Sequence, residues 1–351
     1  MSEWFGRAII KWYKKSARDL PWRHETDAYK IWLSEVILQQ TQVVQGLSYY
    51  NRFVAAYPKI THLARASEDE VLKMWQGLGY YSRARNLLKT AQTVAKEYTG
   101  VFPSDFEQIR SLKGIGDYTA AAIASFAFNK PHAVVDGNVY RLLSRVFGIE
   151  TPINTTNAKK EFSHLAQELL NKKQPGTYNQ AIMEFGSRQC RPQNPECETC
   201  VLSEKCLAFK NKRVSELPVK AKKNKVRKRY LHYFFIRDRN NNTLIKRREG
   251  KDIWQGLYDF PLIETKQQLN ESTVMLNKEV IALCGTEFEI VKVSSIYKHT
   301  LSHQLLMARF YEIKVWKIKD RSGMIRTNHK NLTSFAFPKL IEKFLGDCGI
   351  G

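Results

Sequence analysis

Up to about residue 209 the apolar positions recur at helical spacing, and beyond about residue 230 they alternate or run together like strands. Residues 3–17 place Trp4, Phe5, Ala8, Ile9 and Trp12 on one side of an amphipathic helix. Residues 27–56 read as two helices interrupted near Gln39–Gln42. Ser67 and Glu70 are spaced as a capping box that opens a helix ending near Gln76, and residues 82–98 and 157–170 read as further helices. Ser104 and Glu107 form a second such pair at the start of Phe106–Leu112. After the turn Gly114-Ile115-Gly116, the alanine-rich run Tyr118–Phe128 is apolar enough to be a buried helix. Asp136 follows the apolar pair Val134-Val135, where a new helix starts. Lys210–Arg229 carries ten lysines and arginines, the single acid Glu216, and Pro218, and reads as an extended, solvated linker. Past it, Tyr230–Arg237 and Thr243–Lys246 are strands bracketing a hairpin turn at Asn240-Asn241-Asn242.

Composition narrows the class. With 351 residues there is room for two cored domains, and a net charge of +22 with 43% hydrophobic residues describes a folded, basic chain. Such an excess favours polyanions; RNA or a membrane surface would also satisfy it. No run approaches the roughly 18 apolar residues of a membrane span. Residues 1–20 lack a signal peptide's apolar stretch and carry Glu3 and Asp19, unlike a transit peptide, so a cytoplasmic location is expected. Four of the six cysteines fall within seventeen residues, as Cys190-x6-Cys197-x2-Cys200-x5-Cys206. In a reducing compartment that cluster is a metal site rather than a disulfide pair, with zinc as the generic occupant.

Several stretches carry candidate chemistry. Gly114 and Gly116 let the backbone turn sharply and offer N–H groups at a helix start, an arrangement that suits a phosphate as well as an ordinary corner. Glu35 lies one turn from both Ile31 and Leu38, so burial should raise its pKa into the range of a general acid at neutral pH. Arg18-Asp19-Leu20-Pro21-Trp22-Arg23 is a loop with a cation at each end and an indole inside. In Gly77–Arg85, Tyr80 could wedge into a base stack while Arg83 and Arg85 hold phosphates.

These segments together resemble a known family. L-x-G-I-G-x-Y-T-A followed by V-x-D-G-N-V-x-R is similar to the helix–hairpin–helix and catalytic-aspartate segment of the endonuclease III superfamily of DNA glycosylases. Tyr118, Gly137-Asn138 and the run S-E-V-x-L-Q-Q-T-Q-V around Glu35 resemble its adenine DNA glycosylase branch; Lys113 departs from the usual Pro. The resemblance implies Glu35 as the acid, Asp136 facing the sugar, and Tyr118 and Asn138 supporting them. It implies a base pocket of Arg18, Leu20, Trp22, Arg23, Leu38 and Gln180. Gln40 and Tyr80 would fill the space around the lesion pair, and Lys113, Gly114 and Gly116 would contact DNA. It also implies that Cys190, Cys197, Cys200 and Cys206 hold a 4Fe–4S cluster.

The C-terminal part resembles the start of a Nudix domain in Lys246-Arg247-Arg248 through Gly250 and in Trp254-Gln255-Gly256-Leu257 through Pro261, but residues 271–290 lack the carboxylate-rich box that binds magnesium. Hydrolysis of nucleoside diphosphates is therefore not expected. In the resembled branch such a domain inspects 8-oxoguanine through an F-S-H loop, which is Leu301-Ser302-His303 here, without its aromatic.

The expectation is thus a mainly α helix–hairpin–helix glycosylase domain with an iron–sulfur module over residues 1–209, a linker over 210–229 and an α+β Nudix-like domain over 230–351. Its partner would be double-stranded DNA with adenine opposite 8-oxoguanine or guanine, met by a bacterial, cytoplasmic, nucleoid-associated monomer. Competing readings are a bifunctional glycosylase/lyase and a non-catalytic iron–sulfur DNA-binding protein.

Overall fold

A computed structural model describes residues 2–221, 226–285 and 287–350. The helices are α1 (Ser2–Ser16), α2 (Ala28–Leu38), α3 (Val43–Ala56), α4 (Ile60–Arg65), α5 (Glu68–Trp75), α6 (Ser82–Glu97), α7 (Phe106–Ser111), α8 (Asp117–Phe128), α9 (Gly137–Phe147), α10 (Thr156–Leu169), α11 (Pro175–Arg188) and α12 (Leu207–Lys210). They precede strands β1 (Arg227–Arg237), β2 (Asn242–Arg247), β3 (Tyr258–Asp259), β4 (Leu262–Thr265), β5 (Phe288–Val293), β6 (Tyr297–Thr300), β7 (Gln304–Val315) and β8 (Ile325–Asn328). Helices α13 (Glu271–Met275) and α14 (Lys278–Cys284) lie between β4 and β5, and α15 (Lys339–Asp347) closes the chain. None of the described helices is long and apolar enough to cross a membrane.

Two compact units result: Met1–Arg65 with Asn86–Lys222, and Ala66–Arg85 with Lys223–Gly351. In the first, α1 turns Phe5 and Ile9 into a core shared with Leu142, Phe162 and Phe185, all fully or almost fully buried. Alanines 120, 121, 122 and 124 make the middle of α8 slim enough to bury Thr119–Ser125 inside this unit. In the second unit, β1 runs parallel to β7 at the centre of the order β4-β1-β7-β5, with β6 also on β7, while β3-β2-β8 forms a smaller sheet. Phe235, Phe260, Phe310 and Phe344 fill one core of this unit.

Three local expectations need correction. Asp105, not Ser104, caps α7, its carboxylate accepting from Gln108 N–H; the two candidates are adjacent, and the ionised one is the stronger acceptor. The turn at 238–242 forms around Asp238, but its strands part, β2 pairing with β3 and β8. The basic stretch is not wholly solvated either. Leu217 is buried with its carbonyl accepting from Arg145, Val219 accepts from Ile153 N–H, and β1 already begins at Arg227. Arg229 is buried between Asp252 and Glu264, which neutralise it. Residues 222–225 of that stretch lie outside the described residues. The Ser67–Glu70 capping box forms as expected, with both reciprocal bonds present.

Candidate active site

Within the apolar stretch of α2, ahead of Val36-Ile37-Leu38, Glu35 is turned inward, 6% exposed. Opposite it, the second residue of α8 is Tyr118, whose hydroxyl donates to Glu35 Oε2 at 2.7 Å and lies 3.2 Å from Met183 Sδ. Burial pushes the Glu35 carboxyl up to about 7, with the nearby Asp136 charge adding to it and the Tyr118 hydrogen bond working the other way. A carboxyl that is half protonated near neutrality can deliver a proton.

Asp136 is the N-cap of α9 and has a different environment. Its Oδ1 accepts from the Asn138 and Val139 N–H groups at 2.9 and 2.8 Å, and its Oδ2 from Asn138 Nδ2 at 2.8 Å. Burial raises its pKa, while those three donors and Arg141 oppose the rise by favouring the anion. Arg141 in turn donates to Asn138 Oδ1 at 2.8 Å, to the Gly186 carbonyl at 2.6 Å and to the Cys190 carbonyl at 2.8 Å. Two carboxyls in one pocket, one with a single phenol donor and one held by three donors, are set up for opposite protonation states.

The pocket they share has a volume of about 480 Å³ and takes in Arg18, Leu20, Trp22, Arg23, Leu38 and Gln180 together with Tyr118 and Asn138. Every sequence-derived pocket residue therefore lines one cavity. Gln180 is fixed by Tyr13, whose hydroxyl donates to its Oε1 at 2.7 Å. Sequence reasoning missed Glu184, one helical turn past Gln180. Its buried carboxylate accepts from Arg18 Nε at 2.8 Å and from Arg23 NH2 at 2.5 Å. Burial alone would raise its pKa, but the two guanidinium groups outweigh burial and hold it at about 2. The i, i+4 relation to Gln180 was the available signal. A larger cavity of about 800 Å³ lies in the second unit, near Lys246, Arg248 and Asp259; among the described residues, no tyrosine lines it.

The remaining candidates fall elsewhere. Gly114 adopts φ +79°, and a Cβ there would meet Asn86 at 2.7 Å, so only glycine permits this approach. Gly116 caps α8 without a side-chain bond and has open space beside it, and Lys113 is exposed. Gln40 is exposed between α2 and α3 with φ 55°, outside the pocket lining. In the second unit, Tyr80 has φ 46° and its hydroxyl lies 2.9 Å from Ser302 Oγ, while His303 is exposed beside it.

Cys190, Cys197, Cys200 and Cys206 are free thiols that all line one hollow with Leu142, Phe185 and Leu202. Arg145 approaches Cys190 Sγ at 3.5 Å, and Leu202 N–H donates to Cys200 Sγ at 3.4 Å. Such donors suit thiolates that ligate a metal group. Among the described residues, no three His, Cys, Asp or Glu side chains gather around a point that a single metal ion could occupy.

Comparison with known proteins places this geometry. Residues 33–172 match the family model of the HhH-GPD superfamily of base excision DNA repair proteins, and residues 232–347 match that of the NUDIX domain. The chain is 32% identical over 346 residues to an adenine DNA glycosylase of Buchnera aphidicola subsp. Acyrthosiphon pisum, covering 97% of this chain and 96% of that one. It is 43% identical over 214 residues to the adenine DNA glycosylase of Mus musculus, covering 58% of this chain and 42% of that protein. Among solved structures, a thermostable thymine-DNA glycosylase superposes with a TM-score of 0.55 at 30% identity, over 59% of this chain and 95% of that one. The endonuclease III-like group of these glycosylases usually carries a 4Fe–4S cluster. With similarity running through both units and a glycosylase fold around the Glu35–Asp136 pocket, the chain belongs to the adenine DNA glycosylase family of base excision repair enzymes.

Proposed function

We propose that the enzyme removes adenine mispaired with 8-oxoguanine, and more weakly with guanine, from duplex DNA, with Glu35 as general acid and Asp136 as the counter-anion. The single observation that carries the reading is the shared pocket in which Tyr118 holds Glu35 at 2.7 Å and three donors hold Asp136. Adenine inside a duplex must be extruded to reach such a pocket, at a cost of about a few kcal/mol that a mispair lowers. Glu35 then protonates the base at N7. The bond from the sugar C1′ to N9 breaks, its electron pair leaves with neutral adenine, and the oxocarbenium-like sugar faces Asp136 until water adds. Arg18 and Arg23, clamped by Glu184, and the Trp22 ring form the wall against which the base is held.

The four cysteines would hold a 4Fe–4S cluster, which when bound would brace the loop Cys190–Cys206. In the second unit, Tyr80 and Ser302 would read the base opposite, as polar groups within reach of the edge that oxidation alters. Both carboxyls and the whole pocket wall come from one chain, so the reading needs no second copy. The test is incubation with duplexes holding one adenine opposite 8-oxoguanine, guanine or thymine. Free adenine should appear fastest from the first and not from the last; equal release from all three, or none, would defeat the reading.

A further inference from the structure

Residues Ala66–Arg85 lie within the stretch that matches the glycosylase family, yet they pack in the second unit. Both ends of the segment are tied there. In the first turn of α5, Glu68 and Asp69 accept from Arg247 NH2 at 2.9 and 3.3 Å, and Asp69 also accepts from the Tyr258 hydroxyl at 2.9 Å. Gly256 sits alongside with φ +85°. That left-handed backbone favours glycine, and a Cβ there would stand 2.9 Å from both Glu68 Oε1 and Leu72 Cδ1, so the two elements pack closely at this point. Lys73 Nζ donates to the Phe335 carbonyl at 3.1 Å, and Arg85 donates to the Gln255 carbonyl. Between these anchors the turn is braced internally, Trp75 Nε1 donating to Gly79 O at 3.0 Å and Arg83 to Leu78 O and Gly79 O at 3.2 Å. At its tip stands Tyr80, 49% exposed and bonded to Ser302.

We infer that Arg247 and Tyr258 are positioning residues for lesion reading: by pinning Glu68 and Asp69 they fix where Tyr80 stands against the Ser302–His303 loop. The inference rests on the proposed role of Tyr80 and Ser302. Arg247, Glu68 and Asp69 have side chains 39%, 40% and 53% exposed, so each ion pair alone is weak. Acting on one short, internally braced segment, they set its register together, and small displacements of a contacting group are costly.

The experiment compares single-turnover adenine excision from duplexes with adenine opposite 8-oxoguanine or guanine, at one salt concentration. It uses the full chain and its variants Arg247→Glu, Tyr258→Phe and Arg247→Glu/Glu68→Arg, with thermal melting recorded for each. Arg247→Glu should lower the 8-oxoguanine-to-guanine rate ratio about three- to ten-fold, Tyr258→Phe should lower it less, and the reversed pair should recover most of it, with little change in melting. If both substrates slow equally, or if melting falls while the ratio holds, the positioning role is overturned. A wild-type ratio well above one that Arg247→Glu leaves unchanged sinks this inference alone. A wild-type ratio near one sinks the lesion-reading proposal and this inference with it.

Discussion

The Tyr118 hydroxyl donates to Glu35 across 83 residues of sequence, joining the start of α8 to the buried face of α2 at 2.7 Å. One bond thereby fixes the orientation of the carboxyl and limits how far burial can raise its pKa. Removing the donor and removing the acid should therefore have different signatures.

Excision should follow the protonated fraction of Glu35, level at acidic pH and falling as pH rises through about 7. In Tyr118→Phe the bond that lowers the Glu35 pKa is gone, so the falling limb should move to higher pH. Single-turnover rates between pH 5 and 9 measure both. A limb that stays put in Tyr118→Phe would detach the phenol from the acid.

The same raised pKa makes Glu35 a cost to folding. Its folded value of about 7 lies above the ordinary 4.5, so between those values the folded state holds a proton that the unfolded state has released, and stability falls as pH rises. Glu35→Gln should therefore stabilise the protein by roughly 2–3 kcal/mol at pH 8, with the gain vanishing towards pH 4.5. Denaturant melts at the two pH values check this; a gain independent of pH would contradict it.

Strand cleavage should require added alkali or a separate endonuclease. A lyase needs an amine to form a Schiff base with the sugar, and the group facing the pocket here is the Tyr118 phenol. Borohydride should leave little protein cross-linked to DNA; efficient trapping would show a lyase instead.

Anaerobically purified protein should be yellow-brown and carry iron and sulfide in the stoichiometry of a 4Fe–4S cluster, since four free sulfurs line one hollow. Elemental analysis decides it, and a single equivalent of zinc would replace the cluster in this account.

The burial of Glu35 and the helix-start position of Asp136 were legible in the sequence because burial and capping are local properties, while their roles came from the resemblance of the motifs around them. The cysteine spacing was legible as a metal site, and the cluster as its occupant came from the resemblance. The contacts that finish the site were not. Arg18 and Glu184 are 166 residues apart, and nothing nearer in the chain pairs them. Arg229 looked like one more linker cation because its partners, Asp252 and Glu264, lie on later elements. Ala66–Arg85 reads as a capped helix followed by a glycine turn, and nothing local to it shows that Arg247 and Tyr258 meet Glu68 and Asp69. Side-chain periodicity reports which face is buried but not which element buries it.

The central claim is that Glu35 and Asp136 perform the excision. It is tested most directly by single-turnover release of adenine from a duplex with one adenine opposite 8-oxoguanine, comparing wild type, Glu35→Gln and Asp136→Asn at pH 7. The account predicts that each variant binds this duplex about as tightly as wild type but releases adenine roughly 100- to 10,000-fold more slowly. Near-normal release by either variant would contradict it.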